Sequence, residues 1–169
     1  MGMHSGAIVV ASALLFSIFG KAHADILQME CGMSSGHVYT APEGLYADNP
    51  EVAGWGKDGI PNGMSIFELD TDTGDIAYRW KHFSGSWHSA EAEGTEPILV
   101  SLDKEDFSWQ IVTLFNDGDV VEVCTFAEVL EDDPKALCTT SKNGLLTSAR
   151  VFVSACKTTI VPADWVRSD

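Results

Sequence analysis

The sequence has little positive charge. It contains 10 Lys and Arg residues against 25 Asp and Glu residues, which gives a formal net charge of −15 at pH 7. A surface this negative repels the phosphates of nucleic acids and of anionic membranes, so we expect neither as a partner. The acidic residues are scattered along the chain, a pattern typical of a solvated surface that keeps a protein soluble.

Long hydrophobic runs are also scarce. The apolar run at residues 7–19 is shorter than the roughly 20 apolar residues that a membrane-spanning helix needs. Ala22 and Ala24 follow it, with the small side chains that signal peptidase accepts at its cleavage site. We therefore predict a secretory signal peptide at residues 1–24, with an uncleaved membrane anchor as the alternative.

The remaining residues, 25–169, are enough for a single domain with its own hydrophobic core. They hold all 25 acidic residues and nine basic ones, so their formal charge is −16. They contain no second long apolar run, and we expect no stable membrane insertion after cleavage. The predicted location is secreted or periplasmic.

Cysteine is present at four positions, all within residues 25–169. An even number of cysteines in an exported chain predicts disulfides, and four allow three connectivities. We favour Cys31–Cys156, near the two ends of the domain, and Cys124–Cys138, which flank one predicted hairpin. No pair has the close spacing of structural zinc ligands, so we expect neither a metal site nor another cofactor.

A strong amphipathic helix is missing, and strand signals dominate from residue 64 onward. Ile76, Tyr78 and Trp80 alternate with other residues in the period-two pattern of a strand with one buried face. Similar runs, rich in β-branched and aromatic residues, predict about eight strands. They cover residues 37–40, 65–69, 76–80, 98–102, 109–115, 121–126, 137–140 and 149–155.

Short turn sequences separate these strands, for example at residues 72–75 and 116–119. Turns of this length join sequence neighbours as antiparallel hairpins. We predict an all-β fold, an antiparallel meander that closes into a barrel of about eight strands. A two-sheet β-sandwich is the alternative, because residues 80–98 include a connection long enough to cross between sheets. The meander with its end-to-end disulfide resembles small calycin-type barrels in architecture alone, which assigns no site residues.

Catalytic motifs are absent from the sequence. Residues 32–36 match G-x-S-x-G, but they lack the strand, the helix and the downstream acid and histidine that this motif requires. His82 and His88 lie close in sequence without the spacing of metal ligands. We therefore assign no catalytic residues and favour a protein that is not an enzyme.

Tryptophan provides the candidate binding residues. Trp55 and Trp87 stand in two segments predicted as long loops, residues 41–63 and 84–97, where core packing is a weak reason for an indole. Trp80 and Trp109 lie in predicted strands, where they either fill a small barrel or line its mouth. We name these four as candidate contacts for a small apolar ligand or a partner protein.

Three functional hypotheses follow from these features. The leading one is an exported, non-enzymatic β-barrel that binds a small apolar ligand or a partner protein. One alternative is an envelope or extracellular hydrolase that uses His82 or His88 with a nearby acid or serine. The other is an acidic interaction or inhibitor protein that binds a basic partner.

Overall fold

The computed structural model describes residues 25–42, 48, 51, 53–58, 63–82, 84–144 and 147–162. The signal peptide predicted at residues 1–24 lies outside this range. The described residues form eleven β-strands and no α-helix, which confirms the all-β prediction. The strands are β1 (Asp25–Cys31), β2 (Ser35–Thr40), β3 (Gly54–Lys57), β4 (Ser65–Asp70), β5 (Ile76–Lys81), β6 (Trp87–Ser89), β7 (Ile98–Leu102), β8 (Trp109–Phe115), β9 (Val120–Ala127), β10 (Lys135–Lys142) and β11 (Ser148–Pro162).

The strands form one antiparallel sheet. Its order is β6-β5-β4-β1-β11-β10-β9-β8-β7, with β2 paired to β11 and β3 paired to β2. Strands β4–β6 and β7–β11 are each runs of sequence neighbours, as a meander predicts. Strand β1 departs from that rule, because it lies between β4 and β11 and joins the two runs. Within the described residues β6 and β7 do not pair with each other, so hydrogen bonds do not close the sheet.

Strand β11 belongs to both halves of this sheet. Residues 148–155 pair with β10, and residues 156–162 pair with β1. Phe67 of β4 contacts Phe126 of β9, so the two halves of the sheet face each other. We call them the β4 layer (β1, β4, β5 and β6) and the β9 layer (β2, β3 and β7–β10).

Aromatic side chains pack the two layers together at one end of the fold. Phe67 of β4 contacts Phe126 of β9 and Trp109 of β8, with ring centroids 4.7 and 6.5 Å apart. Trp109 also stacks on Phe126 at 4.0 Å, and both rings are almost fully buried. Each such ring removes about 150–250 Å² from water, so these three residues form the densest part of the core.

Both disulfides join residues that lie directly opposite each other on neighbouring strands. Cys31 of β1 faces Cys156 of β11, with Cα atoms 4.0 Å apart. Cys124 of β9 faces Cys138 of β10, with Cα atoms 4.1 Å apart. The structure therefore contains the pairing that the sequence favoured. The first bond spans 125 residues and ties the two ends of the domain, whereas the second spans 14 and ties one hairpin.

All eight predicted strands are present, with bounds shifted by a few residues and with β11 extended to Pro162. Strands β1, β3 and β6 were not predicted. The last two lie inside the segments predicted as long loops, and with four and three residues they are too short for a period of two to show. Strand β2 contains Gly36 of the G-x-S-x-G match. A Cβ atom there would lie 2.1 Å from the Val151 carbonyl oxygen, so this glycine permits close pairing of β2 with β11.

The two disulfides should differ in their contribution to stability. The chain-entropy model gives about 5 kcal/mol for a loop of the Cys31–Cys156 length and about 3 kcal/mol for the Cys124–Cys138 loop. We expect the double variant Cys31→Ala/Cys156→Ala to unfold at lower urea concentration than Cys124→Ala/Cys138→Ala, with a difference in unfolding free energy of about 2 kcal/mol. Equal free energies of unfolding in the two variants would contradict the dependence of disulfide stabilisation on loop length.

Candidate functional site

A cavity of about 450 Å³ lies between the two layers. Gly63, His82 and Asn116 border it, and each stands beside a strand end on the side of the fold opposite the Trp109–Phe126 stack. The interior is therefore packed at one end and open at the other. We call this space the inter-layer cavity. Its lining is Cys31, Gly63, Ser65, Phe67, Tyr78, Trp80, Lys81, His82, Glu93, Phe115, Asn116, Val120, Glu122, Ala136, Cys138, Arg150, Phe152 and Ser154.

Aromatic rings form much of its wall. Tyr78 and Trp80 point inward because they are alternate residues of β5, and Phe115 faces them from the end of β8. The ring centroids are 5.1 Å apart for Tyr78–Trp80, 5.6 Å for Trp80–Phe115 and 6.4 Å for Tyr78–Phe115. We call these three residues the aromatic wall.

A row of polar side chains crosses the strands opposite the aromatic wall, and two of its members, Glu122 and Arg150, line the cavity. Thr113, Glu122, Thr140 and Arg150 are successive cross-strand partners on β8, β9, β10 and β11. Thr140 Oγ1 donates a hydrogen bond of 3.3 Å to Glu122 Oε2. Glu122 Oε1 and Thr113 Oγ1 are buried without any hydrogen-bond partner. A buried polar atom left unsatisfied costs about 1–3 kcal/mol, so a ligand that satisfies it gains affinity.

The environment of Glu122 shifts the pKa values of two residues, Glu122 itself and Tyr78. Burial raises the pKa of the Glu122 carboxyl above its ordinary value, and hydrogen bonds from Tyr78 and Thr140 oppose part of that shift. Burial also raises the pKa of Tyr78 well above 10, and the neighbouring Glu122 charge raises it further. The tyrosine therefore stays a neutral hydrogen-bond donor at physiological pH.

No cation neutralises Glu122 within the described part of the chain. None of the Lys, Arg or His nitrogens there lies within 4.0 Å of its carboxylate. Arg150, two strands away, is engaged by Asp58, with Nε 3.7 Å from Oδ2. Glu68 shows the contrast, because this buried carboxylate accepts from Gln28 at 2.8 Å and pairs with Arg79 at 3.3 Å.

The four tryptophans predicted as ligand contacts occupy three different environments. Trp80 lines the inter-layer cavity. Trp109 is 1% exposed and lies in the packed core. Trp55 and Trp87 are 65% and 47% exposed on β3 and β6, where Trp55 contacts the Tyr39 ring at 5.5 Å. The structure thus brings one of the four to the cavity and leaves two on the surface.

Sequence reasoning missed the polar row. A signal for Glu122 was present, since it shares a strand face with Cys124 and Phe126, a disulfide cysteine and a large apolar residue. The intervening Val121 and Val123 are apolar too, so the alternation does not tell which face of β9 is buried. The three-dimensional packing decides that question.

A second polar arrangement lies at the border of the cavity. The Ser86 hydroxyl is 3.2 Å from His88 Nε2, and His88 Nδ1 is 3.0 Å from Glu93 Oε1. The His88 ring stacks on Trp80 with centroids 5.9 Å apart. Ser84 Oγ is 3.0 Å both from Ser86 Oγ and from His82 Nδ1. The order serine, histidine and carboxylate is that of a nucleophile, its base and the group that orients the base.

The raised pKa of Glu122 has a consequence for stability. The folded protein holds the Glu122 proton more tightly than the unfolded chain does. The stabilisation that results is fully present below the ordinary pKa of 4.5 and is lost as the pH rises through the pKa of the folded state. We expect Glu122→Gln to lose this dependence. Its unfolding free energy, relative to that of the wild type, should increase as the pH is raised to about 8.

Urea denaturation across that pH range checks this expectation. Glu30→Gln, which removes an exposed carboxylate from β1, is the control for the change in net charge. The same pH dependence in both variants would show that Glu122 is not a shifted group.

Comparisons of the chain with protein family models, with curated proteins and with solved structures found no match. The function is therefore argued from the cavity and its side chains.

Proposed function

We propose that this protein is an exported binding protein whose inter-layer cavity holds one small ligand with an apolar, ring-sized body and a hydrogen-bond donor. The observation that carries the proposal is the buried Glu122 carboxyl in a cavity that the aromatic wall also lines. Ligand sites in proteins are typically concave, about 300–1,000 Å³ in volume and mostly apolar, with a few polar groups that orient the ligand. The inter-layer cavity has this size and this composition.

The two walls contact different parts of the ligand. The aromatic wall offers ring faces and edges to the body of the ligand, a contact that is favourable without being directional. The polar row offers Glu122 Oε1, which has no partner, to the donor of the ligand. Orientation therefore comes from the β9 layer, and most of the buried area comes from β5 and Phe115.

Export and barrel shape are part of the same proposal. Two disulfides support an oxidising compartment, secreted or periplasmic, because disulfides persist poorly in the cytosol. A signal peptide at residues 1–24 would deliver the chain there. Unbroken pairing from β4 through β1 and β11 to β10 supports a calycin-like barrel over a two-sheet sandwich.

Binding of N-phenylnaphthylamine tests the proposal, because this fluorescent probe combines aromatic rings with one N–H donor. We expect saturable binding to the oxidised protein, with fluorescence that rises as the probe leaves water. Val120→Trp places a large ring in the cavity and should weaken the affinity at least about tenfold, or about 1.4 kcal/mol.

Val121→Trp is the matched control. It makes the same substitution one residue along β9, on the opposite face of the strand, and should leave the affinity within about twofold. Absence of saturable binding to the wild type, or equal loss in the two variants, would refute a ligand site between the layers.

The Ser86–His88–Glu93 arrangement favours a second candidate function, ester hydrolysis. Ser86 is exposed, and its hydroxyl would attack the ester carbonyl carbon while its proton passes to His88 Nε2. His88 would return that proton to the departing alcohol, with Glu93 holding the imidazole through Nδ1. Water would then release the acid from the acylated serine by the same route.

Hydrolysis of p-nitrophenyl acetate measures this activity. We expect Ser86→Ala to abolish turnover and His88→Gln to reduce it by a factor of about 100 or more. Ser84→Ala, in the same loop, should retain it, and a fluorophosphonate probe should label Ser86. Turnover that Ser86→Ala leaves unchanged would refute the hydrolase.

A further inference from the structure

Resting on the binding function proposed above, we infer that the inter-layer cavity is selective for amines, so that its ligand carries a positively charged nitrogen on an aromatic or aliphatic body. The ammonium group sits against the Glu122 carboxylate, and the body extends along the aromatic wall toward Gly63 and Asn116. The charges inside the cavity, the rings around it and the field outside it all favour this class of ligand.

The first argument is the missing counter-ion. Tyr78 and Thr140 donate hydrogen bonds to the buried Glu122 carboxylate, but Oε1 has no partner. Buried charges in folded proteins are normally paired, because removing an ion from water without compensation is costly. Glu68, a buried carboxylate of comparable exposure, is paired with Arg79. An ammonium ligand gives Glu122 the positively charged partner that Arg79 gives Glu68.

The second argument is the aromatic wall. Rings attract cations through the negative potential of their faces when the cation lies within about 6 Å of the ring centroid. Tyr78, Trp80 and Phe115 lie within 6.4 Å of one another and line the same cavity as Glu122. A carboxylate facing aromatic rings is a combination that suits an alkylammonium or arylalkylammonium group.

The third argument concerns the basic residues of the lining, which at first suggest an anionic ligand. Arg150 already has the Asp58 carboxylate at 3.7 Å, and Lys81 and His82 lie at the open end, after the body of β5. An acid bound at the open end would leave the unpartnered Glu122 oxygen in the interior without a donor. An amine avoids this mismatch, because its charged head reaches the interior and its body stays on the rings.

The field outside the cavity agrees with this assignment. Residues 25–169 carry a formal charge of −16, which concentrates cations near the protein and repels organic acids. This long-range term is screened by salt, whereas contact with a buried carboxylate is screened much less. A preference for amines that persists at high salt therefore comes from contact with Glu122 rather than from the charge of the surface.

Three ligands with one ring body and different head groups test the inference by isothermal titration calorimetry at high salt. They are naphthylethylamine, naphthylethanol and naphthylacetate. We expect the amine to bind at least about tenfold more tightly than the alcohol, and the acid to bind most weakly. Glu122→Gln should reduce the amine affinity to that of the alcohol and leave the alcohol within about twofold. Glu30→Gln, with the same change in net charge, should change neither.

Each outcome bears on one of the two proposals. Equal binding of all three ligands, or preference for the acid, overturns the amine assignment and leaves the binding function intact. Loss of amine affinity in Glu30→Gln as well as in Glu122→Gln assigns the preference to the surface and also overturns it. Absence of binding by any of the three, together with absence of N-phenylnaphthylamine binding, overturns both. The comparison of head groups on the wild type needs no variant to fold.

Discussion

The pairing of β1 with the second half of β11 is the interaction on which the rest of the structure depends. Without it, β4–β6 and β7–β11 are two separate runs of hairpins, each with an exposed edge. Seven residue pairs join the two strands, from Asp25 with Pro162 to Cys31 with Cys156, and the last pair is a disulfide. The covalent bond thus stands at the point where β11 passes from one layer to the other, and it holds the layers face to face.

Closing the domain in this way leaves an uneven interior. At one end the rings of Phe67, Trp109 and Phe126 fill the space between the layers. At the other end β9 and the first half of β11 present Glu122 and Arg150, which are polar, and the space stays open. A buried carboxyl lowers stability when ionised, so its place in the interior has no evident value for folding alone. We therefore propose that its position against an aromatic wall serves ligand binding.

Much of the fold could be predicted from the sequence, because its signals are local. Alternation of Ile76, Tyr78 and Trp80 predicts both the strand and its buried face, and the turn sequences predict the hairpins. The place of β1 could not be predicted in this way, since only non-local pairings define it, with β4 and with residues of β11 more than a hundred positions away. Cys31 and Cys156 did point to that contact. The site was harder to predict, because the pairing of four neighbouring strands brings Thr113, Glu122, Thr140 and Arg150 into one row. No sequence motif encodes a row across strands.

The central claim is that the space between the layers is a ligand site organised by Glu122. A crystal structure of the oxidised protein with naphthylethylamine tests it most directly. The account predicts density for the ligand between Trp80 and Phe115, with its nitrogen at hydrogen-bond distance from Glu122. Side chains that fill the space, or a ligand bound only on the outer surface, would contradict it.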